Sequence, residues 1–203
     1  TGSGKSYFAL HHIPSLTEDA VHNVVYLIDT INGKEQIVRN YNAISEYHGW
    51  SKEVEADGMW FAPDNRVVVI TYAKFGYLFT KYTDFYKKFA YIICDELHSL
   101  LKFEKFSKQP NFHSLARIAL ELAVKDSELI VLAIPTAFIT DVCKELKKYI
   151  KPSQYICIAS KGIEQGTCLF IHDMIKKHIK TKNIGAISGP SFAIDLVHKV
   201  PVG

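Results

Sequence analysis

The chain has 203 residues, 24 Lys and Arg against 21 Asp and Glu, and 48% hydrophobic side chains. This length allows one large α/β domain or two small ones, and the composition excludes a disordered chain. A formal charge of +3 is too small to argue for a nucleic-acid partner. Residues 1–120 hold 13 basic and 13 acidic side chains and residues 121–203 hold 11 and 8, so the first part carries no basic footprint. No apolar run approaches the roughly 18 residues of a membrane span, and a cytoplasmic location is expected. Cys94, Cys143, Cys157 and Cys168 form no C-x-x-C pair and no metal-ligand spacing, and three of them lie in apolar runs, so reduced, buried thiols are expected. The sequence has no initiator Met and opens inside a motif, so it is expected to be a piece of a longer one, cut at its front and at its back.

Thr1-Gly-Ser-Gly-Lys-Ser6 is the end of a phosphate-binding loop, G-x-x-x-x-G-K-[ST], without its first Gly. Gly2 and Gly4 let backbone N–H groups turn inward on a polyphosphate, Lys5 reaches the β and γ oxygens, and the Ser6 hydroxyl ligates Mg²⁺. A helix opening at Tyr7 would point its positive end at the phosphates. Residues 23–29 read as a core strand ending in Asp29-Thr30, followed by a helix over 34–47 and an unperiodic stretch over 48–64. Residues 66–72 are a second β-branched strand. The aromatic-rich stretch 74–89 reads as a helix whose rings pack in a core, with stacking on single-stranded nucleic acid as the alternative.

Residues 89–94 run as an apolar strand into Asp95-Glu-Leu-His98. Two adjacent carboxylates at a strand's C-terminal end suit a nucleoside triphosphatase: Asp95 holds Mg²⁺, and Glu96 orients or deprotonates the attacking water. Thr-Gly-Ser-Gly-Lys-Ser with Asp-Glu-Leu-His resembles the first motor domain of a DEAD/DEAH-type helicase-like ATPase. Val69-Ile-Thr-Tyr-Ala-Lys-Phe75 is similar to that family's nucleic-acid-contact motif. The resemblance covers residues 1 to about 120. It implies ATP and Mg²⁺ binding by Gly2, Gly4, Lys5, Ser6 and Asp95, catalysis by Glu96, coupling to a nucleic-acid site by His98, and nucleic acid as a partner.

Residues 113–125 read as a helix and Leu129-Ile-Val-Leu-Ala-Ile-Pro-Thr136 as a buried strand running into a turn. An amphipathic helix over 136–149 follows, with apolar Phe138, Ile139, Val142, Cys143 and Leu146. Its Lys144, Lys147, Lys148 and the following Lys151 read as a solvated face complementing the helix C-terminus. A strand over 155–159 ends in Ser160-Lys161-Gly-Ile-Glu164. A helix over 168–179 and a strand over 184–187 lead to Ser188-Gly189-Pro-Ser191-Phe-Ala193, which enters a helix. Small and hydroxyl residues at successive strand ends stand where α/β sheets bind ligands. Lys161 adds a cation there, Gly189 permits close backbone approach, and Ser191 suits an anion at a helix start.

Ser-Lys-Gly-Ile-Glu with Ser-Gly-Pro-Ser-Phe-Ala resembles the N-terminal domain of NAD(P)-dependent glycerol-3-phosphate dehydrogenase, over about 121–203. The resemblance implies that Lys161 contacts both the nicotinamide side and the substrate in a catalytic position. Gly189 and Ser191 would hold glycerol 3-phosphate, and Pro135 and Ala193 would line NAD or NADP. No G-x-G-x-x-G occurs anywhere in the chain.

Strands at 24–29, 67–72, 91–94, 129–134, 155–159 and 184–187 alternate with helices. An α/β fold follows: a three-layer, mainly parallel, P-loop/Rossmann-like sheet with helices on both faces, able to continue as one sheet through the join. The leading reading is a composite. Residues 1–120 are a helicase-like ATPase fragment and residues 121–203 a dehydrogenase fragment, joined near 120–127, and intact activity is not expected. A dehydrogenase with an aberrant first half, a helicase-like ATPase with an unusual tail, and an inert α/β scaffold are the alternatives.

Overall fold

The computed structural model describes residues 23–45, 67–106, 111–160 and 162–187. The chain divides into two compact units, Thr1–Ala119 and Leu120–Gly203.

In the first unit β1 (Asn23–Ile28) leads to helix α1 (Ile31–Ser45). Then β2 (Val67–Thr71) leads to α2 (Tyr72–Lys81), a 3₁₀ turn (Phe85–Lys88) to β3 (Phe89–Cys94), and β3 to α3 (Leu97–Phe106). Helix α4 (Phe112–Asp126) follows, its residues up to Ala119 counted with the first unit and those from Leu120 with the second. The strands form a parallel sheet in the order β2-β1-β3. Val24, Val25, Tyr26, Leu27 and Ile28 are all buried. Burial of successive residues, whose side chains point to opposite faces, means that both faces of β1 are covered, as a parallel sheet requires.

Two helices differ from their sequence readings. The stretch 74–89 is not one helix: α2 starts earlier, at Tyr72, because the Thr71 hydroxyl accepts from the Lys74 N–H at 3.1 Å as its N-cap. It stops at Tyr82, whose φ −138° and ψ 87° leave the helical region. The chain then folds back so that the Phe85 ring lies 4.8 Å from Phe75 and 6.1 Å from Phe89. Core packing is therefore the fate of Phe75, Phe85, Tyr86 and Phe89, while Tyr82 is exposed. Helix α3 has no counterpart among the helices read from the sequence. It begins directly after the strand-end acids, where Glu96 turns the chain with φ 50° and accepts from the Ser99 N–H at 2.7 Å.

In the second unit β4 (Leu129–Leu132) passes through a 3₁₀ turn (Thr136–Phe138) into α5 (Ile139–Leu146). Then come β5 (Tyr155–Ile158), α6 (Ile171–His178) and β6 (Ile184–Ala186). These strands are parallel in the order β4-β5-β6. Leu132, Ile156 and Ile158 pack on Ile139 and Cys143 of α5 and on Ile171, Met174 and Ile175 of α6. Full burial of Ile139 and Ile175 stabilises this core by about 1.5–3 kcal/mol each. The alternate residues Leu129, Val131 and Tyr155 are exposed.

Helix α6 starts at Ile171 rather than Cys168. Cys168 is held at φ 57°, and Ile163 and Phe170 form an antiparallel bridge that closes the preceding loop. On α5 Lys144 pairs with Asp141 at 3.2 Å, and Lys148, just past its end, pairs with Glu145 at 2.9 Å, a solvated face whose pairs contribute little. Among the described residues the fold is α/β, and the strands of both sheets are parallel. The described strands nevertheless form two sheets of three, not one continuous sheet.

Candidate functional site

The register of the first sheet brings three strand ends to one edge. Ile28 pairs with Thr71, and Leu27 pairs with Cys94, so Asp29, Tyr72 and Asp95 emerge together at the carboxyl ends of β1, β2 and β3. That edge is where parallel α/β sheets take their ligands. Asp95 is half-buried and Glu96 exposed. The Asp95 N–H donates to the Leu27 carbonyl at 2.9 Å, and its carbonyl accepts from the Tyr72 hydroxyl at 2.9 Å. With both backbone groups held, the carboxylate of Asp95 starts from a fixed position.

Burial, then the nearby Cys94 and Asp95, push the Tyr72 hydroxyl far above the ordinary phenol range, and Asp29 adds to this. Tyr72 is therefore a neutral donor at any working pH. Burial pushes the Cys94 thiol up to about 12, against a lowering hydrogen bond with Tyr72, so it is no nucleophile. Beside β1, the Thr30 hydroxyl accepts from the Gly33 N–H at 3.1 Å and its carbonyl from the Lys34 N–H at 3.0 Å, which fixes the start of α1 at the same edge.

Among the described residues no group of three or more His, Cys, Asp or Glu converges to hold a metal ion. The strand-end carboxylate of Asp95 still fits Mg²⁺, which is commonly held by one or two carboxylates together with substrate phosphates and water. Gly2, Gly4, Lys5 and Ser6 lie outside the described residues. His98 occupies the first turn of α3, two residues beyond Glu96.

The second sheet's carboxyl edge is built on hydroxyls. The Ser160 hydroxyl donates to the Leu132 carbonyl and accepts from the Ile134 N–H, both at 3.0 Å, stitching the end of β5 to the end of β4. Pro135, φ −58° and ψ 141°, caps the 3₁₀ turn there and is exposed. Glu164 accepts from the Thr140 hydroxyl at 3.0 Å and from the Thr167 hydroxyl. These bonds, Thr167's first, hold its carboxyl below the usual range. Lys161, Gly189, Ser191 and Ala193 lie outside the described residues. Among the described residues this edge carries Pro135 and Thr136 and no Gly-rich turn to cradle a pyrophosphate, so those residues by themselves do not fit a whole NAD(P).

From the sequence, Asp29 and Thr136 are named only as strand ends and Tyr72 only within the Val69–Phe75 motif, with no place at these edges. A signal existed for the first, because Asp29 ends an apolar strand as Asp95 does. None existed for the Tyr72 hydroxyl, whose partner is 23 residues away.

Comparison with known proteins matches residues 1–132 to the family described as type III restriction enzyme, res subunit. Residues 108–202 match the NAD-dependent glycerol-3-phosphate dehydrogenase N-terminus. Among curated relatives, glycerol-3-phosphate dehydrogenase [NAD(P)+] of Acinetobacter baylyi is 35% identical over 98 residues, 48% of this chain and 27% of its own. The enzyme of the same name from Clostridium botulinum is 35% identical over 113 residues, 54% of this chain and 33% of its own. That of Clostridium acetobutylicum is 32% identical over 82 residues, 40% and 25%. The matched part thus spans about a quarter to a third of the length of these relatives. A solved glycerol-3-phosphate dehydrogenase from Coxiella burnetii is 14% identical, covering 90% of this chain and 45% of its own, with a TM-score of 0.38. The composite resemblance read from the two sets of motifs has a counterpart in each family match.

Proposed function

We propose a function for a chain that belongs, through residues 1–132, to the type III restriction enzyme res-subunit family: it is a composite nucleotide-binding protein whose first half takes Mg·ATP. Gly2, Gly4 and Lys5 hold the phosphates, and Ser6 and Asp95 serve Mg²⁺. Glu96 orients or deprotonates water, and His98 couples the nucleotide state to nucleic acid. Magnesium, when bound, neutralises charge on the β and γ oxygens. The observation that carries this reading is the pair Asp95-Glu96 at the carboxyl end of a strand in a parallel sheet, with Asp95 tied on both its backbone groups.

The second half, residues 121–203 in this reading, is part of a glycerol-3-phosphate dehydrogenase N-terminal domain. Lys161, Gly189 and Ser191 are its glycerol 3-phosphate contacts, and Pro135, Lys161 and Ala193 its NAD(P) contacts. The support is the family match over 108–202, together with the hydroxyl-built strand ends around Ser160. In this reading the join lies near residues 120–127, a stretch that both family matches include. Hydride transfer requires a cofactor held against an oriented substrate, and with no pyrophosphate turn no such step is assigned to this chain. A cytoplasmic location suits both ligands. The second reading is a dehydrogenase with an aberrant first half, favoured by the 35% identity to the Acinetobacter enzyme over 98 residues.

Thermal unfolding with ligands separates the two. A ligand at a hundred times its Kd stabilises by about 2.7 kcal/mol. Mg·ATP is expected to raise the midpoint and Lys5→Ala to abolish that rise. A response to NADH with glycerol 3-phosphate, and none to Mg·ATP, would overturn the ATP reading.

A further inference from the structure

We infer that Tyr72 is a positioning residue for the Mg·ATP site, its hydroxyl tying the Asp95–Glu96 peptide to the end of β2. This rests on the ATP reading above and adds a residue that motif spacing does not assign. In the order β2-β1-β3, strands β2 and β3 are not neighbours. They lie two strand spacings apart, roughly 10 Å. Tyr72 is the first residue beyond β2 and Asp95 the first beyond β3, so a bond between them must cross the end of β1. A phenol is long enough to make it, and the Tyr72 hydroxyl reaches the Asp95 carbonyl at 2.9 Å with its residue wholly buried.

What the bond restrains is a turn that few residues adopt unaided. Glu96, directly after the restrained peptide, sits at φ 50°. A non-glycine residue in that region persists where its surroundings over-determine it. Here the surroundings are the Leu27 carbonyl on the Asp95 N–H, the Tyr72 hydroxyl on the Asp95 carbonyl, and the Ser99 N–H on the Glu96 carbonyl. Without the phenol donor the Asp95 carbonyl loses its partner, and the peptide rotates to find another. That rotation swings both carboxylates, because it is the peptide that joins them. Tyr72 also opens α2 behind the cap residue Thr71, so the tie connects the Val69–Phe75 segment with the acid pair.

The test is Tyr72→Phe in the whole chain, which keeps the buried ring and removes the donor. Binding of a fluorescent ATP analogue is titrated with Mg²⁺ and repeated in EDTA, alongside thermal unfolding. The expected result is a Mg²⁺ requirement raised on the order of tenfold, with the analogue's affinity in EDTA unchanged within about twofold, since the phosphate loop is untouched. Phe85→Leu is the stability control, because it loosens the Phe75 contact away from the edge. It should lower the unfolding midpoint at least as much and leave the Mg²⁺ requirement at its wild-type value. Asp95→Asn tests the underlying reading by itself and should remove the Mg²⁺ response.

A wild-type Mg²⁺ requirement in Tyr72→Phe overturns the inference while the Asp95→Asn result leaves the ATP reading standing. An equal rise in Phe85→Leu, or an unfolded Tyr72→Phe, makes Tyr72 a structural residue and also overturns it. A wild-type chain that binds no analogue with or without Mg²⁺ removes both.

Discussion

A methyl group on Gly162 would lie 3.0 Å from the Thr136 hydroxyl oxygen, so the chain leaving β5 and the turn leaving β4 meet closely enough that a side chain there would push Thr136 aside. Gly162 also adopts φ 114°, a conformation that L residues rarely reach. Gly162→Ala is expected to destabilise the second unit by about 1–3 kcal/mol, read as a lower unfolding midpoint. Thr136→Ser, which leaves the close oxygen in place, should not restore it. A stable Gly162→Ala would show that the loop moves freely away from Thr136.

Helix α2 and the start of α4 are closer still. A Cβ on Gly76 would stand 1.8 Å from the Phe112 carbonyl oxygen and 2.8 Å from the Ala116 nitrogen. Both obstacles are backbone, which cannot rotate aside as a side chain can. Gly76→Ala is expected to cost about 3 kcal/mol or more, seen in chemical denaturation as a large fall in midpoint. An unchanged midpoint would mean that α2 and α4 do not pack this way.

Gln154 is a buried polar side chain that closes the second unit from within. Its amide nitrogen donates to the Val124 carbonyl at 2.6 Å and to the Ser127 carbonyl, and its amide oxygen accepts from the Lys151 N–H at 2.6 Å. Gln154→Leu fills the same space and takes the partner from the Lys151 N–H and the Ser127 carbonyl, at about 1–3 kcal/mol for each group left without one, while the Val124 carbonyl keeps its bond from the Ser127 hydroxyl at 2.9 Å. Hydrogen exchange should quicken at Lys151 and around the end of α4. Protection equal to wild type would refute the role.

Glu164 yields a pH dependence of definite sign. Hydrogen bonds from Thr167 and Thr140 hold its folded pKa below the ordinary carboxylate value. A group depressed in this way stabilises the fold above its unfolded pKa and loses that contribution as pH falls through the folded one. Stability should therefore decline on acidification below the usual carboxylate range, and Glu164→Gln should flatten that limb. A variant with an unchanged acid limb would place the dependence elsewhere.

Thiol reactivity should follow environment. Burial pushes Cys143 up to about 11 and Cys94 to about 12, while Cys168 is exposed. In the native protein near pH 8, iodoacetamide should label Cys168 first, and Cys143 and Cys94 only on unfolding. Peptide mass mapping before and after denaturation distinguishes the sites.

The strands were legible because each is a short β-branched or aromatic run bounded by polar turns, but their burial was not: Leu129 and Val131 of β4, read as part of a buried strand, are exposed. Asp95 and Glu96 were legible for a related reason: acids directly following such a run can only lie at a strand's carboxyl end. Helix ends were less legible. The break at Tyr82 depends on the Phe85 ring finding Phe75, and the late start at Ile171 depends on a bridge between Ile163 and Phe170. Neither contact leaves a mark in local propensity.

The free cysteines divide in the same way. Cys143 is buried as its apolar run implies, Cys94 and Cys157 are half-buried, and Cys168 lies in a turn whose exposure local hydropathy could not reveal.

By itself the sequence determined the alternation of strands and helices, hence parallel sheets, since each crossover must be long enough to return the chain to the same edge. It also determined which residue types stand at the strand ends, and so the two families that they resemble. The tertiary structure decided how the described strands divide, three and three, because pairing depends on which edges meet and not on any strand's own composition. It alone decided that β1 lies between β2 and β3, and therefore that the Tyr72 hydroxyl crosses the end of β1 to the Asp95 carbonyl. That bond joins residues far apart in the chain, where no sequence period reaches.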